Sequence, residues 1–274
     1  FLKVNNKSKM ISVFGDAELD EGNVYEALLE GAKHNLKNCW WIIDYNRQSL
    51  DGIVFEKLFE KIINLFELMD WNVEILKYGS KLQKLKQSKS GKKILKWIDD
   101  CPNDLFSALT YQGGKDWRKT LLEVFSNDQN TVHLIQSFND QELNDLMTNL
   151  AGHDMESLEI AFSKYINSEK PTCFICYTVK GFGLPLAGHK DNHSGIMNNN
   201  QFNEYKKLMK IREGQEWNKT EGIELNINEL NSIIASNPLS KCNREFSEVI
   251  PIKPLKEITF NKFISTQEAF GKVM

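Results

Sequence analysis

Two short apolar runs, Met10-Ile11-Ser12-Val13-Phe14 and Cys39-Trp40-Trp41-Ile42-Ile43, read as strands near the start of the chain. Between them, residues 21–36 place Val24, Ala27, Leu28, Gly31 and Ala32 at helical spacing. Strand, helix, strand is a parallel crossover unit, and its two strands finish at the same edge of a sheet. Further on, residues 55–69 set Leu58, Phe59, Ile62, Ile63, Leu65 and Phe66 on a broad apolar helix face. Residues 71–76 read as another strand closed by a turn at Tyr78-Gly79. A basic amphipathic helix follows over 81–98, interrupted near Ser88 to Gly91. Residues 116–125 and 140–150 give shorter helices, and 199–210 another with Phe202, Tyr205 and Leu208 facing inward. The near-continuous apolar run over 171–178 predicts a strand buried on both faces. The pattern predicts an α/β fold, a mostly parallel sheet flanked by helices.

Composition narrows the class. With 274 residues and 41% hydrophobic content, the chain can bury a sizeable core as one large or two smaller domains. A net charge of −3 argues against a dominant nucleic-acid or membrane partner, and no apolar run reaches membrane-spanning length. Basic stretches such as Lys81 to Lys86 are balanced by acidic segments and read as a solvated helix face. The five cysteines, at 39, 101, 173, 176 and 242, are odd in number and lack framework spacing. They read as reduced thiols of a cytoplasmic protein.

The candidate chemistry lies at the ends of the first two strands. Gly15-Asp16-Ala17-Glu18 follows the first, and Asp44-Tyr45-Asn46-Arg47-Gln48 follows the second, with Asn46 thirty residues after Asp16. Ligands of open α/β sheets bind beyond the carboxyl ends of the strands. An Asp and an Asn converging there offer hard oxygen ligands for Mg²⁺, which usually takes few protein groups and completes its shell with substrate phosphates. The arrangement suggests a metal-bridged diphosphate. The competing reading is an ordinary crossover unit with incidental polar residues at its strand ends.

These residues also resemble a known family. Gly-Asp-Gly followed after about thirty residues by Asn is the signature of thiamin-diphosphate enzymes of the transketolase-like group. Asp16-Ala17-Glu18-Leu19-Asp20-Glu21 and Asp44 to Gly52 are closest to the homodimeric decarboxylating component of bacterial pyruvate dehydrogenase. The resemblance implies thiamin diphosphate and Mg²⁺ as cofactors. It implies Asp16, Asn46 and the Gln48 carbonyl as metal ligands, with Gly15, Asp16, Ala17, Glu18, Asn46, Gln48 and His193 along the cofactor. Ala17 departs from the second glycine of the family, and its methyl is tolerable where φ is negative.

A second cluster follows the strand over 171–178. Lys180-Gly181-Phe182-Gly183 leads into Leu184 to Gly195, a loop holding His189, Asp191 and His193, credible as an active-site lid. Zinc is a rival for those histidines, although no finger-like ligand spacing accompanies them. By resemblance, His193 contacts cofactor or substrate, Lys180 lies near the reacting intermediate, and His189 is a looser match to a second histidine. The wording Ala187 to His193 leans toward transketolase, whereas residues 15–52 lean toward pyruvate dehydrogenase. His153 and Asp154, in Ala151-Gly152-His153-Asp154 ahead of a helix, read as supporting residues, Asp154 as an N-cap.

The expected organisation is a diphosphate- and Mg²⁺-binding α/β domain over 1–213. Within it, 80–150 is a helical insertion or peripheral region to which no chemistry can be assigned. An interdomain linker over 214–262 and the start of a pyrimidine-binding domain over 263–274 follow. Phe1 is not an initiator, and the last segment reads as a helix cut short, so the sequence is expected to be a piece truncated at both ends. The resemblance implies oxidative decarboxylation of pyruvate, a small 2-oxo acid, with acyl transfer to a lipoyl-bearing acyltransferase partner, in a homodimer. The alternatives are a transketolase moving two-carbon units between sugar phosphates, or a cofactor-binding fragment without turnover of its own.

Overall fold

The computed structural model describes residues 9–49, 52–53, 58–237 and 263–273 and divides into two compact units, 1–212 and 213–274. In the first unit, β1 (Met10–Gly15), β2 (Cys39–Tyr45), β5 (Asn72–Leu76) and β6 (Thr172–Tyr177) form an all-parallel sheet in the order β1-β2-β6-β5. Helix α1 (Gly22–Lys33) crosses from β1 to β2, and α2 (Leu58–Leu68) precedes β5. A two-stranded antiparallel pair, β3 (Gln48–Ser49) and β4 (Gly52–Ile53), follows β2 directly. The fold is the α/β class that the strand and helix periods dictate.

Side chains alternate across a strand, and over the central strands β2 and β6 both faces are covered. Trp41, Ile43 and Tyr45 of β2 join Cys173, Ile175 and Tyr177 of β6 in the larger core, together with Phe66 and Trp71. Trp40, Phe174 and Cys176 point to the opposite face, where Ala161 of α9 (Met155–Tyr165) packs against them. Every residue of β6 is buried, which accounts for its unbroken apolar run.

Six helices connect β5 to α9: α3 (Ser80–Leu85), α4 (Lys89–Asp100), α5 (Asn103–Gln112), α6 (Gly114–Val124), α7 (Gln129–Gln136) and α8 (Asp140–Met147). The interruption expected in the basic helix is real. The Gly91 N–H donates to Ser88 Oγ at 2.9 Å, a cap that starts α4 and separates it from α3. The sequence pattern missed α5 and α7 altogether. Leu82, Ile94, Phe106, Trp117, Leu121, Ile135 and Leu143 from these helices belong to the same core as β2 and β6. This segment is thus packed into the body of the sheet domain.

After β6 come a loop and α10 (Asn199–Leu208). In the second unit, α11 (Ile227–Ser236) forms inside the stretch expected to be linker, and α12 (Thr266–Val273) falls where the closing helix was expected. Residues 238–262 of that expected linker lie outside the described residues.

Candidate active site

The parallel register sets the geometry. Gly15 lies beside Asp44, Asp44 beside Cys176, and Tyr45 beside Tyr177. The residues that leave the sheet next, Asp16, Asn46 and Thr178, therefore emerge together at one edge. Asp16 opens a 3-10 turn, Asp16–Asp20, whose start is held by the Gly15 N–H donating to the Glu18 carboxylate. The backbone N–H of Arg47 donates to Asp16 Oδ2 at 3.0 Å. The Thr178 hydroxyl donates to the Asp44 carboxylate. Asp16 and Asn46, paired on spacing alone, are thus brought to adjacent strand ends and bridged through the residue after Asn46. Ala17 is not among the described residues with positive φ, so its methyl meets no left-handed penalty. Gln48 pairs with Ile53 in the short hairpin, one residue beyond Arg47.

Asp16 is buried, 3% exposed. Burial, opposed by the Arg47 N–H and assisted by the nearby Asp44 carboxylate, pushes its carboxyl up to about 6. No basic side chain pairs with it among the described residues. Nor do three His, Cys, Asp or Glu side chains cluster there as a closed metal cage. A buried carboxylate with a second one near enough to raise its pKa, and Asn46 at the adjacent strand end, is a set of oxygen donors that favours a hard cation. Its sparseness suits Mg²⁺, which keeps waters and ligand phosphates in its shell. The residues present fit that ion.

The second cluster is only partly convergent. Lys180 lines a narrow crevice with Asn46, Arg47, Ser107, Thr110 and Thr178, which joins the two clusters. Its carbonyl accepts from the Gly188 N–H at 3.1 Å and from Asn192 Nδ2 at 2.6 Å, so the loop folds back on itself. At Gly188, φ is +76°, and an added Cβ would lie 2.8 Å from the Ser107 carbonyl. The glycine lets the loop lie against α5. His189 turns elsewhere: its ring meets Tyr111 edge-on at 4.5 Å, and its Nδ1 accepts from the Asp191 N–H at 3.1 Å. His193 is exposed, in the short turn Lys190–His193, and no hydrogen bond joins it to Asp16 or Asn46 among the described residues.

His153 and Asp154 serve the local framework. His153 stacks on Phe182 at 3.9 Å, and its Nε2 accepts the Val179 N–H at 2.8 Å, which puts the imidazole proton on Nδ1. Burial lowers its basicity, with Asp44 pulling the other way, and the ring is neutral at pH 7. Asp154 caps α9, accepting from the Ser157 N–H at 2.9 Å, and also holds the Ser80 hydroxyl at 2.7 Å. Burial opposes its charge, but the bonds from Ser157 and Ser80 outweigh that and keep the carboxyl below the usual range.

The residue that the sequence reading passed over is Arg47. It is buried, at φ +66°, with its guanidinium 4.4 Å from the Phe106 ring centre and 5.3 Å from that of Tyr177. Its place between Asn46 and Gln48 was the available signal, but arginine is rarely buried unpaired.

A parallel sheet flanked by helices, with Asp16 and Asn46 side by side at its carboxyl edge, is consistent with the diphosphate-binding domain of thiamin-diphosphate proteins. Comparison with known proteins points the same way. The chain is 28% identical over 195 residues (70% of its length) to the pyruvate dehydrogenase E1 component of Buchnera aphidicola subsp. Schizaphis graminum. It is 26% identical over 194 residues to the protein of that name in Escherichia coli K12 and 30% over 193 residues to that of Haemophilus influenzae. These are distant relationships, and the chain spans about a fifth of the length of these curated relatives (21%). No family model matches it. Among the described residues, no helix is long and apolar enough to cross a membrane.

Proposed function

We propose that the chain is the diphosphate- and Mg²⁺-binding part of a thiamin-diphosphate-dependent enzyme that decarboxylates pyruvate and passes the acyl group to a lipoyl arm. One observation carries the reading: Asp16 and Asn46 stand at adjacent parallel strand ends, with Asp16 fixed by the Arg47 N–H. The kinship with E1 components supports it. Asp16 and Asn46, with the Gln48 carbonyl, would hold the metal. Gly15, Ala17 and Glu18 would line the diphosphate, whose charge the metal neutralises. Thiamin diphosphate, when bound, would supply the electron sink that decarboxylation of a 2-oxo acid needs. Lys180, on the wall shared with Asn46, stabilises negative charge developing on the substrate. His193 and His189 make no hydrogen bond to Asp16 or Asn46 among the described residues, so their catalytic roles would call for the loop from 181 to 195 to swing inward. The reading carries with it a cytoplasmic homodimer, a lipoyl-bearing acyltransferase partner, a linker from 214 and a pyrimidine-binding domain from 263.

The test has two arms. Thermal unfolding of the chain with Mg²⁺ and thiamin diphosphate is expected to shift upward in the wild type, because a ligand that binds only the folded state stabilises it by mass action. The shift is expected to vanish in Asp16→Asn. No shift in the wild type overturns the cofactor assignment. In the second arm, the longer parent protein is assayed with pyruvate and an artificial electron acceptor. Turnover only with ketose and aldose phosphates overturns pyruvate and favours a transketolase.

A further inference from the structure

Arg47 has an electrostatic problem that the metal site does not solve. It is 4% exposed, and its Nη2 has no hydrogen-bond partner among the described residues. Among the described residues, the groups acting most on its charge after burial itself are Tyr177, Tyr45, Cys101 and Tyr78, phenols and a thiol. Its backbone bond to Asp16 leaves the guanidinium pointing the other way, onto Phe106 and Tyr177. A second cation, Lys77, stands 5.2 Å from the same Tyr177 ring, but that one is paired with Asp99 at 2.5 Å. An arginine cannot shed its proton in a protein, and an uncompensated buried charge is strongly unfavourable. Ring faces recover a part of that cost only.

The same arginine lines the crevice between Asn46, Ser107, Thr110, Thr178, Lys180 and Gly188. The crevice has room for about one water-sized species, and Arg47 and Lys180 are both among the residues that line it. We infer that this crevice is a binding site for a small monovalent anion, held by Arg47 Nη2. Its occupant is a chloride-sized ion or the terminal carboxylate oxygen of a small ligand such as a 2-oxo acid. The inference does not rest on the metal reading, since neither Asp16 nor a metal takes part in it.

Metal-free protein provides the test. Sodium gluconate, whose anion is too large for the crevice, is replaced stepwise by sodium chloride at constant ionic strength while thermal unfolding is followed. The wild type is expected to gain several degrees with a saturable dependence, and Arg47→Met to show no such saturable gain. Equal gains in both proteins, or none in the wild type, overturn the proposal. Should Arg47→Met fail to fold, Arg47→Lys keeps the charge without the guanidinium fork and is expected to need markedly more chloride for the same shift. Crystals soaked in sodium bromide are expected to show an anomalous peak within hydrogen-bond reach of Nη2; an empty or water-filled crevice overturns the proposal. Adding pyruvate then separates the sources. Loss of the bromide peak assigns the site to a carboxylate, and its persistence assigns it to a free ion. Failure of the Mg²⁺ and thiamin diphosphate shift leaves every one of these outcomes readable.

Discussion

The backbone N–H of Arg47 donates to Asp16 Oδ2 across 3.0 Å, tying the end of β1 to the turn after β2. The acceptor is a side chain and the donor is main chain, so residue 16 must carry an oxygen for the bond to exist. Asp16→Ala removes that oxygen and leaves the N–H buried without a partner, at a cost of about 1–3 kcal/mol. Asp16→Asn retains it. Urea unfolding is therefore expected to place Asp16→Ala below Asp16→Asn by that amount. Coincident midpoints would show that the bond contributes nothing.

Asp154 makes stability depend on pH in acid. Its carboxyl is held below the usual range in the fold, so its contribution is fully present above the unfolded value near 3.8 and is lost as pH falls below it. Asp154→Ala is expected to cost about 1–2 kcal/mol at pH 7 through loss of the α9 cap. Stability curves of the mutant and wild type should converge as pH drops toward 2. A constant gap across pH 2 to 7 would mean that the charge is irrelevant to the cap.

Two glycines in one loop separate backbone strain from crowding. Gly183 has φ +81° with nothing within 4 Å of an added Cβ, so Gly183→Ala should cost only the left-handed penalty, about 1–2 kcal/mol. Gly188 has φ +76° and the Ser107 carbonyl at 2.8 Å, so Gly188→Ala adds a steric clash to that penalty. Chemical denaturation should rank Gly188→Ala as the more damaging. Amide exchange in α5 should also rise in that variant alone.

Trp117 is fully buried, edge-on to Phe106 at 5.3 Å, and its indole N–H has no partner among the described residues. Trp117→Ala is expected to cost about 3–5 kcal/mol. Trp117→Phe forfeits no hydrogen bond and keeps an aromatic edge, so it should cost clearly less. Near-equal losses, measured by unfolding free energy, would point to a hidden polar role for the indole.

The parts of the fold written in local periodicity were legible: β1, α1, β2, the strand after residue 70, and β6 with its unbroken apolar run. The Asp16 and Asn46 pair was legible because a parallel crossover brings its strand ends together whatever else the chain does. Helices α5 and α7 were not. Asn103–Gln112 and Gln129–Gln136 mix polar and apolar positions without a clean stripe, and their burial comes from neighbours distant in sequence. Arg47 was read as part of a motif and not as a buried charge, because its surroundings, Phe106 and Tyr177, lie 59 and 130 positions away. The histidines of the loop were grouped by proximity in sequence; the packing of His189 on Tyr111, 78 positions upstream, is a contact that local spacing does not encode.

The Phe106 ring lying on the Arg47 guanidinium gives the helical segment between β5 and β6 a duty of its own. It forms the back wall of the turn that carries Asn46. An engineer trimming this protein to a minimal sheet would strip that wall away and leave a bare cation in its place. Random variation along α5 should be felt at the strand ends even though no residue of α5 belongs to the proposed metal shell.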